Sequence, residues 1–104
     1  SEMCIRDSYV VIELLKNFSY SADKANLTYY RDSNAKEIDV IVEENGLAHP
    51  LEIKKSANPD RREIKKYAVL DKTTLERGSG GIVCMCEEVI PIDEKNCFIP
   101  CNLI

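Results

Sequence analysis

Two alternating runs joined through an Asn-Gly pair constrain the fold of this chain more than any other feature. In Glu37-Ile38-Asp39-Val40-Ile41-Val42-Glu43, apolar Ile38, Val40 and Val42 alternate with acids, and only Ile41 breaks the pattern. The alternation returns in Leu51-Glu52-Ile53-Lys54. Side chains two apart on a strand share a face. Glu37 and Asp39 are therefore expected to point one way, and Glu52 and Lys54 to point together. Glu44-Asn45-Gly46 lies between the runs, and Asn-Gly suits a two-residue hairpin turn whose central residues need positive φ. A hairpin there makes the strands neighbours and gathers Asp39, Glu52 and Lys54.

Two carboxylates and a lysine at one place have a specific use. Asp39 and Glu52 are suited to a hard divalent cation, Mg²⁺ or Mn²⁺, which prefers oxygen ligands and keeps some of its waters. Such an ion polarises a phosphate and helps generate hydroxide from bound water. Lys54 can orient that water or neutralise charge developing on the phosphate. The alternative is a half-exposed hairpin whose outer face is simply charged. The order Asp, turn, Glu-x-Lys on adjacent strands is more specific than an isolated acid-x-lysine triplet.

At these residues the chain resembles a known superfamily. Asp39 followed by Glu52-Ile53-Lys54 is similar to the PD-(D/E)XK signature of restriction-endonuclease-like nucleases. The wider text is Tyr29-Tyr30-Arg31-Asp32, Lys36-Glu37-Ile38-Asp39 and Leu51-Glu52-Ile53-Lys54-Lys55. It resembles the C-terminal domain of unknown function found in many bacterial and archaeal AAA-type ATPases. The likeness continues through Gly80-Gly81-Ile82-Val83-Cys84, Ile90-Pro91-Ile92-Asp93 and Ile99-Pro100. One departure is Ile38, where the signature name has proline. The resemblance implies a restriction-endonuclease-like α/β core, catalytic Asp39, Glu52 and Lys54, and the Ile53 carbonyl as a further metal ligand. It also implies an ATPase domain upstream and a further acid on the first helix. The position corresponding to that acid is Asp7.

Bulk properties narrow the field. A chain of 104 residues is one small domain. No run approaches the roughly 20 apolar residues of a membrane span, and no secretory signal is present. Five cysteines without a regular framework suit a reducing cytoplasm. The formal charge of −4 gives no global basic field for nucleic acid. It does not exclude a nuclease site, because acidic metal ligands add negative charge by design.

Ser1-Glu2-Met3-Cys4-Ile5-Arg6-Asp7, with Ser8, looks like the translated read-through of a sequencing-library adapter. The stretch is set aside as one sets aside a tag, and is expected not to pack on the core. Residues 9–104 are then the nuclease-like domain, a C-terminal fragment of a larger ATPase. Val11, Leu14, Leu15 and Phe18 recur at helical spacing over Tyr9 to Phe18; Glu13 falls on the opposite face and is not assigned a role. Asn17 to Asn26 reads as a loop, and Leu27 to Arg31 as the first strand.

Asp32-Ser33-Asn34 reads as the turn into the second strand. His49 is the sole histidine and reads as structural or exposed. Asn58-Pro59-Asp60 supplies a turn and a helix start, and Ile64, Tyr67, Ala68 and either Leu70 or Asp71 continue a helix to about Lys72. Arg61, Arg62, Lys65 and Lys66 are expected to form its basic face, either a solvated surface or a phosphate-contacting one. The candidates for nucleic-acid phosphates are Arg31, Lys55, Arg61 and Arg62. Gly78-Ser79-Gly80-Gly81 lacks the lysine of a phosphate loop and reads as a flexible lead-in to the strand Ile82 to Cys86. Cys97 to Ile99 reads as the final strand. Cys84, Cys86, Cys97 and Cys101 read as small hydrophobes rather than zinc ligands. The expected architecture is a mixed sheet with a helix on each face, in the order α-β-β-β-α-β-β. The functional expectation is a Mg²⁺-dependent nuclease domain acting on DNA; the alternative is a non-catalytic module that positions an ATPase on nucleic acid or protein.

Overall fold

A computed structural model describes residues 2–16 and 26–104. In chain order it contains α1 (Glu2–Lys16), β1 (Asn26–Arg31), β2 (Glu37–Glu44) and β3 (Leu47–Ile53). A 3₁₀ helix (Arg61–Lys72), β4 (Glu76–Arg77), β5 (Gly80–Cys84), β6 (Ile90–Pro91), β7 (Asn96–Pro100) and a 3₁₀ turn (Cys101–Leu103) follow. The seven strands make one sheet in the order β1-β2-β3-β5-β7-β6, with β4 also pairing β3. β1, β2 and β3 are antiparallel neighbours, whereas β3, β5 and β7 run parallel. The chain is thus mixed α/β, as expected, with β4 and β6 as short additions. No helix among the described residues is long and apolar enough to cross a membrane.

The Asn-Gly hairpin forms as expected. Asn45 and Gly46 both take positive φ, 53° and 79°, which matches the right-handed twist of the flanking strands. Asp32 shapes the turn between β1 and β2. Its carboxylate accepts from the Asn34 and Lys36 amides at 2.9 and 3.1 Å, and Ala35 is forced to φ 63°.

The core has two faces. On one, Val11 and Ile12 of α1 pack with Val42, Leu51, Val83, Cys97 and Ile99. On the other, Tyr67, Val69 and Leu70 of the 3₁₀ helix pack with Ile38, Ile41 and Ala48. Strict alternation would put Ile38 with Val40 and Val42, yet Ile38 and Ile41 share a face. The register explains this. Thr28 pairs Ile41 while Tyr30 pairs Ile38, so two residues of β2, Asp39 and Val40, oppose Tyr29 alone. This is a β-bulge, which inserts one residue and re-aims its neighbours. The apparent fault at Ile41 is its signature.

The second helix was expected to be α-helical. Its inward row is Ile64, Tyr67 and Leu70, half-buried or buried, while Ala68 is exposed. A spacing of three suits the three-residue turn of a 3₁₀ helix, in which i and i+3 eclipse. Asp60 caps it by accepting from the Arg62 amide at 2.9 Å. The turn expected at Asn58-Pro59-Asp60 is therefore where the helix starts.

Gly80 and Gly81 are buried strand residues rather than a flexible lead-in. A Cβ on Gly81 would strike the Cys97 carbonyl, and one on Gly80 the Pro50 carbonyl. The close approach of neighbouring backbone selects glycine there. Pro50 sits inside β3, where proline normally forfeits a ladder bond. Even-numbered residues of β3 turn their backbone groups toward β4 and β5, as the Gly78 N–H to Ala48 carbonyl and Lys54 N–H to Val83 carbonyl bonds display. Pro50 falls in the gap between the β4 and β5 pairings, so its missing N–H leaves no ladder partner stranded. His49 is buried, with Nδ1 2.7 Å from the Ser79 carbonyl oxygen, a structural role as expected.

α1 starts at Glu2, so the stretch expected to stand apart from the core belongs to the helix. Ile5 packs against the first cluster and Ser8 is buried. Phe18 and residues 17–25 of the expected Asn17–Asn26 loop lie outside the described residues, and Asn26 opens β1 instead. Cys84 and Cys97 belong to clusters on opposite faces of the sheet.

Two outcomes follow for stability. A left-handed non-glycine residue costs about 1–2 kcal/mol, partly offset by the flexibility that glycine adds to the unfolded chain. Ala35→Gly should therefore raise the melting temperature by a few degrees, measurable by circular dichroism; a drop would mean Ala35 is not strained. Restarting the chain at Tyr9 should lower the melting temperature by several degrees. It removes Ile5 from the core and leaves a helix too short to be stable on its own.

Candidate functional site

The β2–β3 hairpin brings Asp39 and Glu52 together. Val40 pairs Leu51, and one step further along the same register Asp39 faces Glu52. Their settings differ. Asp39 is exposed, and its Oδ2 accepts from the Ile53 N–H at 3.0 Å. Glu52 is only 5% exposed, on the face covered by the 3₁₀ helix. The bulge at Asp39–Val40 permits this pairing, because it lets Val40 join the α1 face while Asp39 meets Glu52.

A chain of ion pairs runs away from Glu52. Lys66 Nζ lies 3.1 Å from Glu52 Oε1 and 2.8 Å from Glu63 Oε2. Glu63 Oε1 lies 3.5 Å from Lys54 Nζ. Glu63 and Lys66 are three apart on a 3₁₀ helix, so they stack on one edge. Lys54 belongs to this assembly, but its contact is Glu63. Lys66 was expected on an outer basic face; instead it turns inward to Glu52. Neither Glu63 nor the inward turn of Lys66 was anticipated. The one signal in the sequence was Tyr67, the only aromatic in that segment, which fixes the buried face beside Lys66.

The charges are unevenly satisfied. Burial pushes the Glu52 carboxyl above the ordinary value of 4.5, Lys66 pulls it back, and the Asp39 carboxylate pushes it up again. Its Oε2 is buried and has no hydrogen-bond partner among the described residues. Lys66 is raised: burial lowers it, but Glu63 and Glu52 outweigh that. Glu63 is lowered, chiefly by its hydrogen bond from Lys66. Thus the charged form of Lys66 is favoured, while that of Glu52 is disfavoured despite its Lys66 partner. Buried Tyr67 donates to the Gly81 carbonyl at 2.6 Å, and Arg77 lies over its ring at 5.1 Å. Those contacts fix the helix that carries Glu63 and Lys66.

The other expected residues are spread around this centre. Arg31 pairs Glu37 at 3.2 Å and lies over the Tyr29 ring. Those three residues, with Tyr30, Ile38 and Asp39, line a cleft of about 280 Å³. Arg62 pairs Asp60 at 2.8 Å and holds that carboxyl down at about 2. Arg61 donates to the Ile92 carbonyl. Lys55 is exposed. Glu13 is exposed and pairs Lys16 at 3.3 Å.

Asp7 does not serve this centre. It borders a cavity with Glu44, Asn45 and His49, at the turn end of the hairpin. The sheet also stands between α1 and the face that bears Glu52.

The chain belongs to the family described as domain of unknown function DUF4143, whose model matches residues 5–104. No curated protein and no solved structure matches the chain.

The Glu52 setting has a measurable consequence. A carboxyl raised on folding binds its proton more tightly in the folded state. Its contribution to stability therefore falls as pH rises from about 4.5 through the raised folded value, and is lowest above it. Glu52→Gln removes that loss. The melting temperature of the variant minus that of the wild type should become more positive between pH 5 and pH 8. A difference that stays flat or reverses would show Glu52 to be fully compensated.

Proposed function

We propose that this domain is a Mg²⁺- or Mn²⁺-dependent nuclease of the PD-(D/E)XK kind, acting on DNA phosphodiesters from a restriction-endonuclease-like core. The observation that carries the reading is the Asp39–Glu52 pair, whose buried Glu52 Oε2 has no hydrogen-bond partner among the described residues. Like charges this close repel unless a cation lies between them. The donors fit a hard ion: Asp39, Glu52 and the Ile53 carbonyl offer only oxygen. In an extended strand a residue's N–H and C=O face the same edge. The Ile53 N–H bonds Asp39, so its carbonyl faces that edge too. Among the described residues no group of three or more His, Cys, Asp or Glu could hold an ion. Two carboxylates completed by water and substrate oxygens are an arrangement Mg²⁺ accepts.

When bound, the ion supplies charge neutralisation at the phosphate and a lowered water pKa. The protein's own groups do the rest. Asp39 and Glu52 would hold the ion. Lys54, whose side chain is 37% exposed, presents a positive charge to an incoming phosphate. Arg31 and Lys55 extend positive charge to either side, for backbone phosphates rather than bases. The resemblance to ATPase C-terminal domains makes an upstream ATPase the proposed working partner and the cytoplasm the proposed setting.

A second reading is a non-catalytic module that docks an ATPase on nucleic acid or protein. It is favoured by the run Glu52–Lys66–Glu63–Lys54, which spends both lysines on internal carboxylates.

Metal titration separates the two. At a hundredfold excess over its dissociation constant, a ligand of the folded state adds about 2.7 kcal/mol. Mg²⁺ or Mn²⁺ should accordingly raise the melting temperature, and Asp39→Asn should abolish most of the rise. Lys54→Ala should keep it, yet remove cleavage of duplex, branched or single-stranded DNA. A chain that binds metal and cuts none of these substrates leaves the binding module standing. One that binds neither metal nor DNA reduces the hairpin to a solvated face.

A further inference from the structure

We infer that Lys66, rather than Lys54, is the positioning lysine of the Asp39–Glu52 centre. Lys66 fixes Glu52 through Oε1 and so presents Oε2 to a divalent cation. The inference rests on the metal reading above and assigns it a residue that strand spacing does not identify. Spacing points to Lys54, two residues from Glu52 on the same strand. The ion pairs differ: Lys54 Nζ is 3.5 Å from Glu63, whereas Lys66 Nζ is 3.1 Å from Glu52 itself.

Three features make the Lys66 contact a fixed one. The Glu52 side chain is 7% exposed and that of Lys66 25%, so water competes weakly for either end. Glu63 grips the same ammonium from the other side at 2.8 Å. The next residue, Tyr67, anchors the helix to β5 through the Gly81 carbonyl. One oxygen of Glu52 is thereby held, and the other is buried on the Asp39 side with no satisfied hydrogen-bond geometry among the described residues. A carboxylate oriented in this way has lost its rotamer freedom before the ion arrives. Partners that orient a metal ligand typically alter affinity by about 10–100-fold when removed.

The competing role has the opposite sign. If Lys66 merely substitutes for an ion by neutralising Glu52, its removal opens room for a divalent cation and tightens binding. Mn²⁺ titrations of the whole chain, by calorimetry and by the electron paramagnetic resonance of bound Mn²⁺, distinguish these roles. Lys66→Met should weaken Mn²⁺ binding by about tenfold or more, and Lys66→Arg should restore most of it. Lys54→Met should leave affinity nearly unchanged. Unchanged or tighter binding in Lys66→Met overturns the inference. Should that variant fail to fold, Glu63→Gln carries the test. It loosens one side of the grip without touching Glu52, and should weaken Mn²⁺ in the same direction; unchanged affinity overturns the inference. A wild-type chain that binds no Mn²⁺ overturns the metal reading and this inference together. Wild-type binding that is indifferent to the Lys66 and Glu63 variants overturns this inference alone.

Discussion

The single extra residue in β2 is the constraint on which the centre depends. Without it, Ile38 would share the α1 face with Val40 and Val42, and the 3₁₀ helix would lose an apolar partner. With it, Ile38 and Ile41 both lie beneath that helix, and Val40 and Val42 both lie beneath α1. Both helices are thereby satisfied by one strand. Asp39, at the bulge, meets Glu52 while staying exposed. A bulge bends and twists its strand, so the same irregularity that divides the core also shapes the cleft between Tyr29 and Asp39.

The 3₁₀ helix is the second determinant. Its three-residue turn sets Ile64, Tyr67 and Leu70 on one row toward the sheet. The adjoining edge, Glu63 and Lys66, then falls over Glu52. An α-helix with the same inward Tyr67 would rotate Glu63 away from Lys66 by about 60°, since three residues complete a turn of one helix but not of the other. Local winding thus decides whether two charges reach the centre together. The poorer hydrogen-bond geometry of so long a 3₁₀ run is offset by burial of Tyr67 and Leu70 and by the Asp60 cap.

Much of this is legible in the amino-acid sequence. Asn45-Gly46 announced the hairpin because few other residue pairs accept two positive φ values. Alternation announced β2 and β3, and with them the meeting of Asp39 and Glu52. The bulge was present in the text as the irregular Ile41, but one broken alternation does not say which residue is inserted. The 3₁₀ winding was less legible still, because Ile64, Tyr67 and Leu70 fit a short α-helical stripe almost as well. Gly80 and Gly81 looked like flexibility because the reason for them lies in Pro50 and Cys97, on other strands. Lys66 was hidden for the same reason. Charged residues on a helix are read as outward by default, and only the third dimension supplies the buried acid that draws one inward.

The energetics of Glu52 bear on what such a centre is for. A buried polar atom left without a partner costs roughly 1–3 kcal/mol, and a buried ion pair seldom recovers its full desolvation penalty. The Asp39 carboxylate adds repulsion to both. Stability alone would be served better by an apolar or amide side chain at this position. The deficit is local, since Glu63 and Lys66 are each stabilised in their charged forms while Glu52 is not. A proton relieves it in part, as the raised carboxyl shows; a species that relieves it as a carboxylate would be positive, would accept oxygen donors, and would reach the Asp39–Glu52 edge from the exposed Asp39 side. Another ammonium is a poor answer, because Lys66 already occupies Oε1 and Lys54 is turned to Glu63. A compact divalent cation, as proposed above, is one species that would meet all three conditions.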